Sequence, residues 1–490
     1  MTGFSKRFFG VRQHPIRILA YTTKSFWLLL IPLTRSLVAL KFDLATWLRG
    51  RWLDVLVIAL IFSYAFLRWV FMSFRFESDC IVARQGYFGL MESKIFYAQV
   101  TSIHAKQGVF YRAFRASRIT VDTNSGSAKS SDLVLTVRNS DFRHLADIFN
   151  AENRDVMKYT YSSGSLYLLV FSLIFSSAFS GVVLFATFFY QAGRIVGQEL
   201  EDRLLYRLST AAERFAVHIP PIALGISVLI SGGWFLSFLA NVIRHWSFTS
   251  MRTGTNIVIE SGILTRQATI LSINKINYAD MQQNMLTKLF RICSVIIHCA
   301  GYGKKRRQIA ALIPITTIRH VPASLKMLLP GMRAVKISLK PGARRAASFF
   351  LPPLCAAAGV AAAGIAGAFF FPVWSEIIRF AGVILGIPLV WLSVVQLFSV
   401  FTTGVGFDDG FAVLSYCKLY KFHRVTVPTA KISKLTIRRT VFQKRAGTCS
   451  VKIYTVSETR NIHYIRQLRE RELMKLLAEN GFPVKSIADA

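Results

Sequence analysis

Two stretches of the chain carry nearly the same sequence at one constant offset, and that repeat constrains the fold more than any single motif. GYFGLMESKIFYAQVTSIHAKQGVFYRAFRASRITVDTNSG begins at Gly86, and GILTRQATILSINKINYADMQQNMLTKLFRICSVIIHCAG runs from Gly262 to Gly301. Gln107 falls on Gln283, Phe110 on Leu286, Arg112 on Lys288, Phe114 on Phe290 and Arg115 on Arg291, while Ile119 and Val121 fall on Val295 and Ile297. A third, more diverged copy sets Val427, Ile432, Leu435, Phe442, Lys444, Val451 and Ile453 where the first has Ile95, Val100, Ile103, Phe110, Arg112, Ile119 and Val121. Arg439 stands there in place of the shared Gln. Apolar residues recur through Ile270, Ile273 and Ile276 and alternate at Val295 and Ile297, which is strand patterning. A repeat this long is a whole domain and not a solenoid unit.

Length agrees, since 490 residues suggest about three domains. A mean hydropathy of +0.41 stands beside a net charge of +35. The two coexist when apolar and basic residues are segregated, as they are in membrane spans with basic flanks. An excess of 60 basic over 25 acidic residues would also suit nucleic acid, but such binders do not need six long apolar runs, and no nucleic-acid partner is expected. The six cysteines show no CxxC pattern. Cys293 and Cys299, even with nearby His298, are poorly spaced for a metal site, and no metal or cofactor is expected. Reduced, structural thiols fit soluble parts that face the cytosol. The long basic N-terminus argues against a cleavable signal peptide.

Taken in order, the chain reads as three rounds of a helical pair followed by a strand-rich block. Residues 1–74 hold a basic N-terminus and a first pair at about 25–40 and 54–74, the former interrupted by Pro32 and Arg35. The first strand block is 75–158, closed by an amphipathic helix in which Phe142, Leu145, Ile148 and Phe149 share one face. The second pair, 159–243, has spans at about 166–190 and 217–243. Between them Leu200, Leu204, Leu208, Ala211 and Phe215 form a helical stripe outside the bilayer. The second block is 244–346. The third pair, 347–403, has spans at about 349–371 and 378–401, and the third block, 404–490, is expected to close with a helix from Ile465 to Leu477. Each block follows an even number of spans, so all three share one side with the N-terminus. The second block holds 17 basic residues against 2 acidic ones, and the third 16 against 7. The positive-inside rule therefore sets the blocks and both termini in the cytoplasm of a multi-pass inner-membrane protein.

This arrangement resembles the bacterial pleckstrin-homology (PH) membrane proteins of the YdbT type. The likeness rests on His14-Pro15 ahead of the first span, the turn glycines Gly86 and Gly262, and the segments Gln107 to Arg115 and Gln283 to Arg291. Each segment is followed by a strand and a glycine turn, at Gly126 and Gly301. The third copy departs from the pattern, with Ala446 where the others have Phe. The resemblance implies a membrane α-helical protein of about six spans as three hairpins, plus three cytoplasmic PH-like β-barrels each capped by a C-terminal helix. It implies no enzyme activity, and it suggests a partner that is either a one-repeat PH-like membrane paralogue or a further copy of the chain.

The sharpest local feature is GYGKKRRQ, in which Lys304, Lys305, Arg306 and Arg307 crown an expected hairpin tip. Near a cytoplasmic leaflet each such cation attracts anionic lipid headgroups by about 1 kcal/mol; a solvated loop would carry the same residues. Arg344 and Arg345, just ahead of the fifth span, are read as membrane anchors that also reach lipid headgroups. Gln107 and Gln283, recurring at one position, mark a structural hydrogen bond at a strand end, with a ligand contact as the alternative reading. Phe110, Leu286 and Phe442 are expected as equivalent core positions of the three barrels. The nine histidines do not cluster with carboxylates, so no catalytic residues are assigned. The favoured reading is a membrane-associated interaction or scaffold protein that contacts anionic lipid. The alternative is a transporter or channel component with regulatory PH-like domains, against which stands the lack of paired acids in the apolar runs.

Overall fold

A computed structural model describes residues 11–22, 52–85, 91–124, 132–150, 159–175, 221–299, 311–333, 335–456 and 462–482. The first repeat contributes β1 (Val11–Arg12), β2 (Ser73–Phe76), β3 (Cys80–Gln85), β4 (Met91–Phe96), β5 (Val100–Gln107), β6 (Ala116–Thr123) and β7 (Leu133–Arg138). The second contributes β8 (Tyr159–Ser162), β9 (Thr249–Thr253), β10 (Asn256–Ser261), β11 (Arg266–Ser272), β12 (Ile276–Asn284), β13 (Ile292–Cys299) and β14 (Ala311–Thr317). The third contributes β15 (Gly404–Asp408), β16 (Phe411–Lys418), β17 (Lys421–Pro428), β18 (Ile432–Arg438), β19 (Thr448–Thr455) and β20 (Ile462–Arg469). Every repeat thus has two antiparallel meanders of three strands, joined by a single 3-10 turn at Tyr97–Gln99, Ile273–Lys275 or Thr429–Lys431. A β-bulge follows that turn at the same place in each copy, between Val100 and Ser102, Ile276 and Tyr278, and Ile432 and Lys434.

The expected closed barrels are not formed among the described residues. The edge of one repeat's second meander pairs with the edge of the next repeat's first. β5 pairs with β11, giving the seven-stranded order β7-β6-β5-β11-β10-β9-β8. β12 pairs with β17 in a six-stranded sheet, β14-β13-β12-β17-β16-β15. The outer sheets, β1-β2-β3-β4 and β18-β19-β20, stand at the two ends of the series. Backbone groups that would close one barrel are used at the two junctions to join neighbours, so β5, β11, β12 and β17 have no edge left to close a barrel of their own.

Junction strands serve two cores at once. In β11, Ile270 packs into the first core with Ile103, Ile119 and Leu145, while Leu271 packs into the second with Ile257, Val295 and Ile297. In β12, Ile276 and Ala279 face the second core, and Tyr278, fully buried, belongs to the third with Val425, Val451 and Leu473. The near-continuous apolar run through Ile270 and Leu271 follows from burial on both faces. The repeats close with helices Asn139–Asn150, Val321–Leu328 and Glu470–Glu479, which seat Leu145, Leu328 and Leu473 on the cores. The last is shorter than the expected Ile465–Leu477 helix because Ile462–Arg469 is β20, whose Ile465 and Leu468 already face the core.

Each helical pair is rooted in a sheet. A short strand before the pair bonds the first strand after it: β1 with β2, and β8 with β9. In the third repeat the same place is held by a single bridge between Leu339 and Val405. Gly406 lets these segments approach, since a Cβ there would run into the carbonyl of Lys336. Helices Ala347–Phe370 and Ser375–Thr402 form the third pair and lie in the segments Ala343–Phe370 and Pro372–Thr402, long and apolar enough to cross a bilayer. They close on each other at small residues, with Gly364 beside Gly382 and Ile378 against Gly367. Ile365, Phe369, Ile387 and Val390 line an open apolar groove between the two helices and are exposed, which suits a lipid solvent. About six spans were expected, and among the described residues these two are the ones of sufficient length and apolarity. Helices Trp52–Val70, Ser165–Phe175 and Pro221–His245 occupy three other expected places. The first expected span and the stripe from Leu200 to Phe215 lie outside the described residues.

Candidate functional site

The second meander of every repeat is interrupted, between its first and second strands, by one turn of helix: Val109–Ala113, Met285–Leu289 and Val441–Arg445. Two of the three turns carry a capping box, and the first follows Gly108 with no side-chain cap. In the second copy Asn284 and Thr287 form a capping box, and in the third Thr440 and Gln443 do so. A left-handed residue then returns the chain to the sheet: Arg115 (φ 50°), Arg291 (φ 54°) and Gly447 (φ 59°). Gln107 donates from Nε2 to the Ala116 carbonyl at 3.2 Å, and Gln283 to the Ile292 carbonyl at 2.8 Å, tying the two strands below the turn. The recurring glutamine is therefore a strand-end brace. In the third copy Gln443 donates to Ser450 at 2.8 Å, while Arg439, at the shared Gln position, pairs with Glu470 at 2.8 Å.

The apolar residues of these turns point outward. Phe110 is 76% exposed, Leu286 52% and Phe442 82%, and Phe114, Leu289, Phe290 and Val441 are exposed as well. The expectation that Phe110, Leu286 and Phe442 are equivalent core positions is overturned, although their equivalence stands. On a helix of one turn, apolar spacing reads the same whether it faces a core or an external apolar phase. Here the turn caps the end of the sheet, beyond the core. Cations accompany each cluster: Arg112 and Arg115, Lys288 and Arg291, Lys444 and Arg445. Lys288 sits 4.1 Å from the Phe422 ring, and burial lowers its pKa.

Helices of the second and third pairs share this end of the sheets. Gln107, beside the first turn, lies opposite Arg266, and β11 is entered from the 262–265 turn, where Ile263 and Leu264 are exposed. That turn is bonded to the end of helix Pro221–His245, with Gly262 N–H donating to the Trp246 carbonyl at 2.8 Å. Gly262 has φ +96°, and a Cβ would strike the Thr265 carbonyl. In the next junction Asn284 lies opposite Lys421. There Tyr420 donates from its hydroxyl to the Pro388 carbonyl at 2.8 Å, and Gln396 to the Leu419 carbonyl at 3.2 Å, both reaching helix Ser375–Thr402. Arg345 donates from Nη2 to the Ala446 carbonyl at 3.2 Å, coupling the third turn to the start of helix Ala347–Phe370. Arg345 thus has a structural bond; Arg344 is exposed beside it. Lys304, Lys305, Arg306 and Arg307 lie outside the described residues.

The surface so assembled is a row of exposed aromatic and aliphatic residues interleaved with cations at the end where the long helices leave the sheets. The cation clusters were legible from the repeat alignment, but the outward aim of the apolar residues was not. Cys293 and Cys299 are buried, and burial pushes both thiols up to about 12, so they are protonated core groups at neutral pH.

Comparison with known proteins adds a family. The profile of the family described as "Bacterial PH domain" matches three times, over residues 26–152, 204–328 and 354–480. A curated relative is "UPF0699 transmembrane protein YdbT" of Bacillus subtilis (strain 168), 20% identical over 308 residues. That alignment covers 57% of this chain and 60% of the relative. No solved structure matches.

Proposed function

Because the chain belongs to the bacterial PH domain family, with three copies of the domain, we propose that it is a membrane-integral scaffold whose one-turn helices dock into an anionic leaflet. The observation that carries this reading is the threefold recurrence of exposed apolar side chains beside cations, at the sheet ends held by the long helices. An exposed Phe moved from water into the interface gains on the order of 2 kcal/mol, and each cation near an anionic surface adds about 1 kcal/mol. Three such contacts hold the sheets against the bilayer and leave their far edges open to protein partners. In this reading the spans form three hairpins with the sheets and both termini in the cytoplasm, and no catalytic role is assigned.

The test has two arms on the full-length chain. Asn124→Cys should react with a membrane-impermeant maleimide only after cells are permeabilised; labelling of intact cells overturns the orientation. A nitroxide on Phe442→Cys, in nanodiscs containing anionic lipid, should be relaxed by oxygen and shielded from a water-soluble nickel chelate, unlike one on Ser433→Cys. Equal exposure of both positions to the nickel chelate overturns the docking.

A further inference from the structure

Both internal junctions use the same two strands in the same register. The first strand of a second meander, β5 or β12, takes the last strand of the next first meander, β11 or β17. Ile103 lies opposite Ile270, and the repeat-equivalent Ala279 lies opposite Thr426. Likewise Gln107 lies opposite Arg266, and Gln283 opposite Phe422. Each junction seals a buried polar group: His104 Nδ1 lies 2.8 Å from Thr269 Oγ1, and His423 Nδ1 lies 2.9 Å from Asp280 Oδ2. The third repeat has the corresponding donor strand, β18, and the first has the corresponding acceptor, β4. Among the described strands each has a neighbour on one side only. Most residues of β4 are exposed and β18 is mainly part-exposed, whereas β5 and β12 are buried along most of their length.

We propose that a second copy of this chain fills these edges, β18 of one copy pairing antiparallel with β4 of the next in the register of the internal junctions. Leu435 then lies opposite Lys94, Thr436 opposite Ser93, and Ile437 opposite Glu92. Thr436 occupies the position of His104 and Asp280, and with Ser93 it forms a cross-strand hydroxyl pair at the centre of the new junction. A copy is the occupant because one chain carries both halves of a junction it already makes twice within itself. Lys94 and Lys434 keep either edge from pairing indiscriminately. The contact is heterologous, so it propagates until it closes. If the spans cross one bilayer, as in the reading above, successive copies share a plane and the series closes as a ring.

The test co-expresses two differently tagged full-length chains, one with Ser93→Cys and the other with Thr436→Cys, and oxidises the membranes mildly. Residues directly opposite in such a pair have Cβ atoms about 4.5–5.5 Å apart, near disulfide reach. The expected result is a reductant-sensitive dimer carrying both tags, absent with either variant alone and weak for Glu92→Cys with Thr436→Cys, whose thiols face opposite sides. Absence of the mixed dimer, or equal cross-linking of the out-of-register pair, overturns the proposal. As a second measurement, Ser93→Lys, at an exposed site, should convert the solubilised oligomer to a monomer whose circular dichroism spectrum matches the parent's. An oligomer that survives this substitution, a parent that is monomeric, or capture of only a smaller one-repeat protein also overturns it. None of these variants touches the one-turn helices, so failure here leaves the docking reading standing.

Discussion

His104 is the residue at which the first junction becomes sensitive to acid. It is buried against Thr269, and burial, with Lys106 adding a smaller effect, pushes its pKa down from 6.5 to about 4. Between those values the unfolded chain binds a proton there and the folded chain does not. Stability therefore declines as pH falls through that window and is unaffected by this group above it. The expected outcome is that the melting temperature of the solubilised protein drops from pH 7 to pH 4.5, and that His104→Gln flattens this slope. A parallel slope in the variant would show that other groups govern the acid transition. The sequence reading assigned His104 no role, because its partner Thr269 lies in another repeat. Gln107 and Gln283 were readable as strand-end hydrogen bonds, because both partners lie within the same meander.

At the scale of the element, the turn into β11 joins helix Pro221–His245 to a sheet through one glycine. Gly262 combines φ +96° with a carbonyl where a Cβ would sit. Gly262→Ala is therefore expected to cost about 1–2 kcal/mol from the backbone conformation alone, and more from the clash. A melting temperature several degrees below the parent would agree; an unchanged one would show that the turn relaxes freely. This glycine was legible as a turn in the sequence. The one-turn helices were legible as recurrent segments but not as surface features, because a single helical turn has too few residues for periodicity to reveal which side is buried. Phe110, Leu286 and Phe442 illustrate that limit, since their apolar character was plain and their environment was not.

For the whole molecule, shared sheets make the repeats interdependent. The second repeat lends β11 to the first and β12 to the third, and Ile270 and Tyr278 are buried in cores that are not their own. Residues 244–346 expressed alone are thus expected to expose two long apolar edges and to aggregate, while the full chain melts in one transition that involves all three repeats. A soluble, monomeric fragment with a sharp melt would show that the junctions are dispensable.

The sequence by itself determined the threefold repeat, the alternation of helical pairs with strand blocks, the family resemblance and the positions of the basic clusters. These follow from local signals: hydrophobic period, turn residues and charge runs within a few tens of residues. Only the tertiary structure decided that the repeats do not close separately. Whether a strand edge bonds its own repeat or the next one depends on contacts far apart in the chain, and a strand buried on both faces has the same composition in either case. It also decided that the apolar residues of the one-turn helices face outward, because burial there is set by where the sheet ends and not by the residues of the turn.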